Sequence, residues 1–166
     1  NLLGGGLGQG DLGMIAGGPG GGKSWALVAL GAAAVKLGYT VIHYTLELNE
    51  KYVGRRYDAC FTEIPVGDIT LHKEKVTQKL ESLRGGLYIR EYPAGQATVN
   101  TIHAHLEKCV QQNIEPDLII IAASPITSFK PPEVVEISGT PHDMASPAPK
   151  PKPSYRDGIT AISAQE

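Results

Sequence analysis

The sequence predicts an α/β fold, a mostly parallel sheet flanked by helices, and three observations lead to it. Short apolar, β-branched runs alternate with longer stretches of helical periodicity. The helical stretches are bounded by capping or stopping residues, among them Gly38, Asn49 and Thr98. The segment Gly17-Gly18-Pro19-Gly20-Gly21-Gly22-Lys23-Ser24 fits G-x-x-x-x-G-K-[ST], a phosphate-cradling loop that joins a strand to a helix.

Each element follows in chain order. Residues 1–11, with Leu2-Leu3-Gly4-Gly5-Gly6-Leu7-Gly8, read as a loop feeding the first strand. That strand is expected near 12–16, Leu12-Gly13-Met14-Ile15-Ala16. After the glycine loop, an Ala/Leu/Val-rich helix covers 24–37 and stops at Gly38. Thr40-Val41-Ile42-His43-Tyr44 is the second strand. Asn49 is a good N-cap, so a helix starts there and runs to about Cys60. Another helix is expected over Leu71 to Leu83, with Leu71, Val76, Leu80 and Leu83 at near-helical spacing and Gly85-Gly86 behind it. Leu87-Tyr88-Ile89-Arg90 is the third strand. Thr98 caps a helix to about Gln112, with Val99, Ile102, Leu106 and Val110 apolar. Pro116-Asp117 introduces the fourth strand, Leu118-Ile119-Ile120-Ile121.

The order breaks at Ala122. Residues 122–153 hold eight of the chain's twelve prolines, and apolar periodicity vanishes. Such a stretch cannot bury enough surface to offset its ordering entropy, so loop or disorder is expected. A short helix is expected from Tyr155 to Gln165, within a remnant at 154–166. There is no internal repeat.

Composition narrows the class. The 166 residues suit one domain or part of a larger one, and the start at Asn1 rather than Met reads as a piece of a longer protein. A hydrophobic content of 42% supports a core, and the net charge of −2 gives no global field that calls for nucleic acid. Lys150, Lys152 and Arg156 add too little basicity to change that. Cys60 and Cys109 lack metal-ligand spacing and read as reduced thiols. No leader peptide and no apolar run near membrane-span length is evident, so a cytoplasmic protein without membrane contact is expected.

The glycine loop carries the sharpest chemistry. Its glycines let successive N–H groups converge on phosphate oxygens, and the following helix offers its positive end. Lys23 would reach the β- and γ-phosphates, and the Ser24 hydroxyl would hold Mg²⁺. Trp25 continues the nucleotide-binding segment into the helix, its ring read as packing rather than as a base-stacking platform. Glu47 lies just past the C-terminal end of the second strand, the edge where open α/β sheets bind ligands. It can activate a water beside the γ-phosphate, or it is a surface carboxylate near a helix start. Arg55 and Arg56 contact DNA or a neighbouring subunit, or are solvated residues on an exposed face. His103 and His105 point in different directions on one helix, which argues against a joint metal site. His43, inside a strand, reads as a packed or hydrogen-bonded histidine.

The lead Leu2 to Gly13, the loop with Trp25-Ala26-Leu27 and the phrase His43-Tyr44-Thr45-Leu46-Glu47 resemble the RecA-type ATPase domain of DnaB-like replicative helicases. Glu91-Tyr92-Pro93-Ala94-Gly95 and the strand after Pro116 agree with it, so the resemblance covers about residues 1–121 as a RecA-like, ATP-binding core, and extends to 155–166 as a second stretch. It implies a P-loop NTPase that uses ATP and Mg²⁺, with Glu47 as catalytic base, in a homo-oligomeric ring moving on single-stranded DNA. The first 121 residues also leave room for a RecA-fold recombinase or a KaiC-like ATPase.

The family has an aspartate ending the strand that starts here at Leu118, where this chain has Ala122-Ala123. Asp117 is at the wrong end of the strand, and Glu133 is the next acid. A turnover-deficient nucleotide-binding fragment is therefore the alternative. The family's further strand with a sensing residue, between the P-loop strand and the strand at Leu118, and its arginine finger cannot be placed before Glu166. Strands flanking that gap are expected to lack partners, and the isolated chain to fold poorly. The loss of periodicity at Ala122 suggests a shifted reading frame, an insertion or a recombination scar over 122–153. Family-like sequence in the source DNA's existing frame would remove that idea.

Overall fold

A computed structural model describes residues 7–93 and 95–123. The expectations for residues 1–6, for the Pro-rich stretch beyond Ala123 and for the terminal helix lie outside the described residues.

The elements run α1 (Lys23–Leu37), β1 (Val41–Thr45), α2 (Glu50–Thr62), a 3₁₀ turn (Ile69–Leu71), α3 (Lys73–Glu81), β2 (Leu87–Glu91), α4 (Val99–Gln111) and β3 (Leu118–Ala122). The local signals act where they were read. Gly38, at φ 103°, ends α1 with its N–H on the last carbonyls. The Asn49 side chain accepts from Lys51 N at the start of α2. Thr98 and Thr101 form a reciprocal capping box on α4.

The three strands form a parallel sheet in the order β2-β1-β3. His43 is in register with Ile89 on one side and Ile120 on the other. β1 is the middle strand and buried throughout, so its polar residues His43 and Thr45 are buried with its apolar ones. The chain steps from β1 to β2 and then back past β1 to β3. Right-handed crossovers in opposite directions put the connecting helices on opposite faces. Accordingly Val41, Leu87, Ile89 and Ile120 pack with Val28, Ala32 and Val35 of α1 and Val53, Tyr57 and Phe61 of α2. Ile42, Tyr44 and Tyr88 pack against Ile102 and Cys109 of α4 on the other face.

Gly31 permits the close approach of α1 and α2. A Cβ there would collide with Tyr57 Oη and lie 3.0 Å from Ile120 Cδ1. The freed space lets Tyr57 reach across and bond His43 Nδ1 at 2.8 Å.

Three expectations need correction. The strand near 12–16 is not formed; these residues lie outside the sheet, with Leu12 90% and Met14 86% exposed. A strand persists only when its backbone groups find ladder partners. Among the described residues β3 pairs with β1 alone, and no strand bridges its free edge to 12–16. Leu71 is 77% exposed rather than core, because it ends the 3₁₀ turn, whose Ile69 is buried with Ile64 and Val76 instead. On α4, Val99 and Val110 face outward, and the inner stripe is Ile102, His105, Leu106 and Cys109, the i, i+3, i+4, i+7 set.

Candidate functional site

The glycine loop is shaped by its sequence. Gly20 and Gly22 adopt φ of 72° and 81°, a region that other residues rarely enter. Gly21 N donates to Gly18 O at 3.1 Å, closing a turn, and Ala26 N donates to Gly22 O at 2.9 Å, opening α1. The N-cap of α1 is Gly22, which has no side chain to cover the first N–H groups, and no acid stands in the first turn. The helix therefore presents bare donors and its positive end to the loop, an arrangement suited to an anion.

Lys23 bends back over this loop. Its Nζ donates to Gly17 O at 2.8 Å and Gly18 O at 2.9 Å. Lys23 and Ser24 are half-buried, while residues 17–22, Pro19 included, are exposed. Trp25 is 43% exposed, and the Arg56 guanidinium of α2 lies 4.9 Å from its ring centroid. Sequence reading placed Trp25 in packing and left Arg56 on a solvated face or at a partner. Instead the two stack beside the loop, a cation–π contact between helices 31 positions apart in the chain.

Parallel strands share one C-terminal edge, and their register sets what meets there. Thr45, Glu91 and Ala122 stand in one row, on the α1 and α2 face. Glu47, exposed, follows two residues past Thr45. The link that carries it is held on several sides. Thr45 Oγ1 donates to Leu48 O at 2.7 Å and accepts from Leu48 N at 3.1 Å. Leu46 N donates to Ala122 O, and Tyr92 N to Thr45 O, both at 3.0 Å. Glu91 Oε2 accepts from Asn49 Nδ2 at 2.8 Å and from Glu50 N at 3.0 Å. Glu91 opens the phrase Glu91-Tyr92-Pro93-Ala94-Gly95, but nothing in the sequence pointed to these bonds or to a place at the site.

Ser24 is the residue expected to hold Mg²⁺, and β3 brings no acid to the row at its C-terminal end. Ala122 offers a methyl group at the strand's end. Asp117 sits at the other end, where its Oδ2 accepts from Thr40 N at 2.7 Å. Among the described residues no cluster of His, Cys, Asp and Glu could hold a metal ion.

Of the remaining candidates, His43, His105 and Cys109 are buried in the packing and His103 and Arg55 are exposed. His43 is 1% exposed, and burial lowers its pKa to about 4. His103 faces outward to Glu107 at 3.5 Å, whereas His105 is buried and bonds Tyr44 Oη at 2.9 Å. Cys60 and Cys109 are free thiols, each pushed up chiefly by burial, which disfavours the thiolate. Arg55 is exposed. No helix among the described residues is long and apolar enough to cross a membrane.

No family model matches the chain. A DnaB-like replicative helicase of Enterobacteria phage T4 is 29% identical to it over 126 residues, which is 70% of this chain and 26% of the helicase. The chain thus spans about a quarter of the length of the curated relative it matches.

Proposed function

We propose that this chain is the ATP-binding portion of a DnaB-like helicase motor, with a RecA-like P-loop core over residues 1–121. The observation that carries the reading is the glycine loop itself, an uncapped α1 with Lys23 folded over the loop carbonyls; Glu47, exposed beyond the end of β1, adds a carboxylate at that strand's C-terminal end. Similarity to the phage helicase supports it.

In this reading the free N–H groups of the glycine loop and of the first turn of α1 take the phosphate oxygens; Pro19 has none to offer, and Gly21 N is held by Gly18 O. Lys23 leaves Gly17 O and Gly18 O for the β- and γ-phosphates. Exchanging neutral carbonyl acceptors for anionic ones strengthens each bond of its ammonium. Mg²⁺, held by Ser24, would neutralise phosphate charge. Glu47 orients a water and accepts its proton as the water oxygen attacks the γ-phosphorus and the bond to the β-phosphate oxygen breaks. Coupling to single-stranded DNA in a ring of copies is what the resemblance adds.

Trp25 is the chain's one tryptophan and adjoins Ser24, so it reports on the site. Titrating the full chain with ATP and Mg²⁺ should change its emission saturably, and Lys23→Ala should abolish the change. Wild-type protein that gives neither an emission change nor calorimetric heat would refute the reading.

One observation favours a second reading, a nucleotide-binding protein without turnover. Ala122 stands beside Thr45 in the edge row, where the resemblance implies the Mg²⁺-ordering acid. The two readings separate on phosphate release. Wild-type ATP affinity without hydrolysis, together with hydrolysis gained by Ala122→Asp, would establish the second.

A further inference from the structure

Glu47 is exposed on a link of four residues, 46–49, between β1 and α2. A side chain so placed can work on a water only if its backbone is held, because a misplacement of about 1 Å can cost 100-fold in rate. Most of the holding is done by two side chains next to each other in register, Thr45 on β1 and Glu91 on β2.

Thr45 is fully buried and uses its hydroxyl twice, donating to Leu48 O and accepting from Leu48 N. Both backbone polar groups of the residue after Glu47 are thereby spent. Glu91 works from the α2 side. One carboxylate oxygen takes both Asn49 Nδ2 and Glu50 N, the first helical N–H. Its charge lies at the positive end of α2, which strengthens both bonds. Asn49, fixed at its Nδ2, uses Oδ1 to cap Lys51 N. On the other side of Glu47, Leu46 N is tied to Ala122 O. Glu47 therefore hangs between anchors on all three strands.

We propose that Thr45 and Glu91 are positioning residues for Glu47, setting its carboxylate toward the P-loop without touching the nucleotide. The inference rests on the role of Glu47 argued above. It separates two carboxylates at one edge: Glu47 acts on water, and Glu91 acts on the link.

The test is steady-state ATP hydrolysis by the full chain, in the wild-type and Ala122→Asp backgrounds, well below the melting midpoint of the least stable variant. Glu91→Ala and Thr45→Val should each lower kcat about 10- to 100-fold while KM for ATP holds. Glu91→Gln keeps an oxygen with two acceptor sites, so it should recover at least about a third of the rate. In a Glu47→Gln background, Glu91→Ala should cost nothing further, since it acts through Glu47. Unchanged kcat in both Glu91→Ala and Thr45→Val would overturn the proposal. So would parallel losses of kcat and ATP affinity, a Glu91→Gln as slow as Glu91→Ala, or a full additive loss in the Glu47→Gln background. ATP binding without hydrolysis in either background would instead refute the role of Glu47, and this inference with it.

Discussion

Acid should unfold this protein through His43. The ring is 1% exposed in the middle of β1; its Nδ1 pairs with Tyr57 Oη at 2.8 Å, and its buried Nε2 has no partner. Burial strips water from the charged ring and lowers the pKa from 6.5 to about 4; in the imidazolium both ring nitrogens carry hydrogen, and Nε2–H would have nothing to accept from it. The unfolded chain then takes up the proton first. Stability from the neutral ring is complete above 6.5, declines as pH falls through the window, and levels off below about 4. The full effect is about 3 kcal/mol, and about 2 kcal/mol of it falls between pH 7 and pH 5, above the range where most carboxylates titrate. Urea unfolding of the full chain across that interval, beside His43→Gln, isolates the term. The wild type should lose that stability and the variant should lose little. Equal slopes in the two proteins, or a flat wild-type profile, would refute the reasoning.

Other outcomes follow from the packing. Gly31→Ala should destabilise by about 2 kcal/mol in urea unfolding, because its Cβ drives Tyr57 away from His43; a neutral result would contradict the tight α1–α2 contact. Arg56→Ala should remove a cation–π contact of about 0.5–1 kcal/mol and red-shift Trp25 emission as the ring gains water. Thr98→Ala should cost about 1 kcal/mol by deleting the α4 capping box, and Thr98→Ser should restore most of it; thermal melts would show both.

The legible parts of the sequence were local ones. Asn49 and Thr98 were readable as caps because a cap depends on donors two or three residues away. The turn at Gly20 and Gly22 was readable because positive φ is a local demand that glycine meets. Residues 12–16 were misread because an apolar run says that a segment can pair, whereas pairing needs a neighbour supplied from elsewhere. The α4 stripe was misread at Val99 and Val110 because His105 goes inside, where its ring shares a hydrogen bond with Tyr44 Oη. Polarity alone could not foretell that partner.

By itself, the sequence determined the alternation of strand and helix, the helix ends, and the glycine turn that opens α1, all set by backbone preferences within one or two turns. Tertiary structure alone decided that β1 is central, that Thr45, Glu91 and Ala122 share a row, that Arg56 stacks on Trp25, and that Glu91 anchors the link bearing Glu47. The reason is range. The Glu91 bonds span 41 and 42 positions of chain, and a contact of that length exists only after crossover handedness has chosen which strands lie side by side.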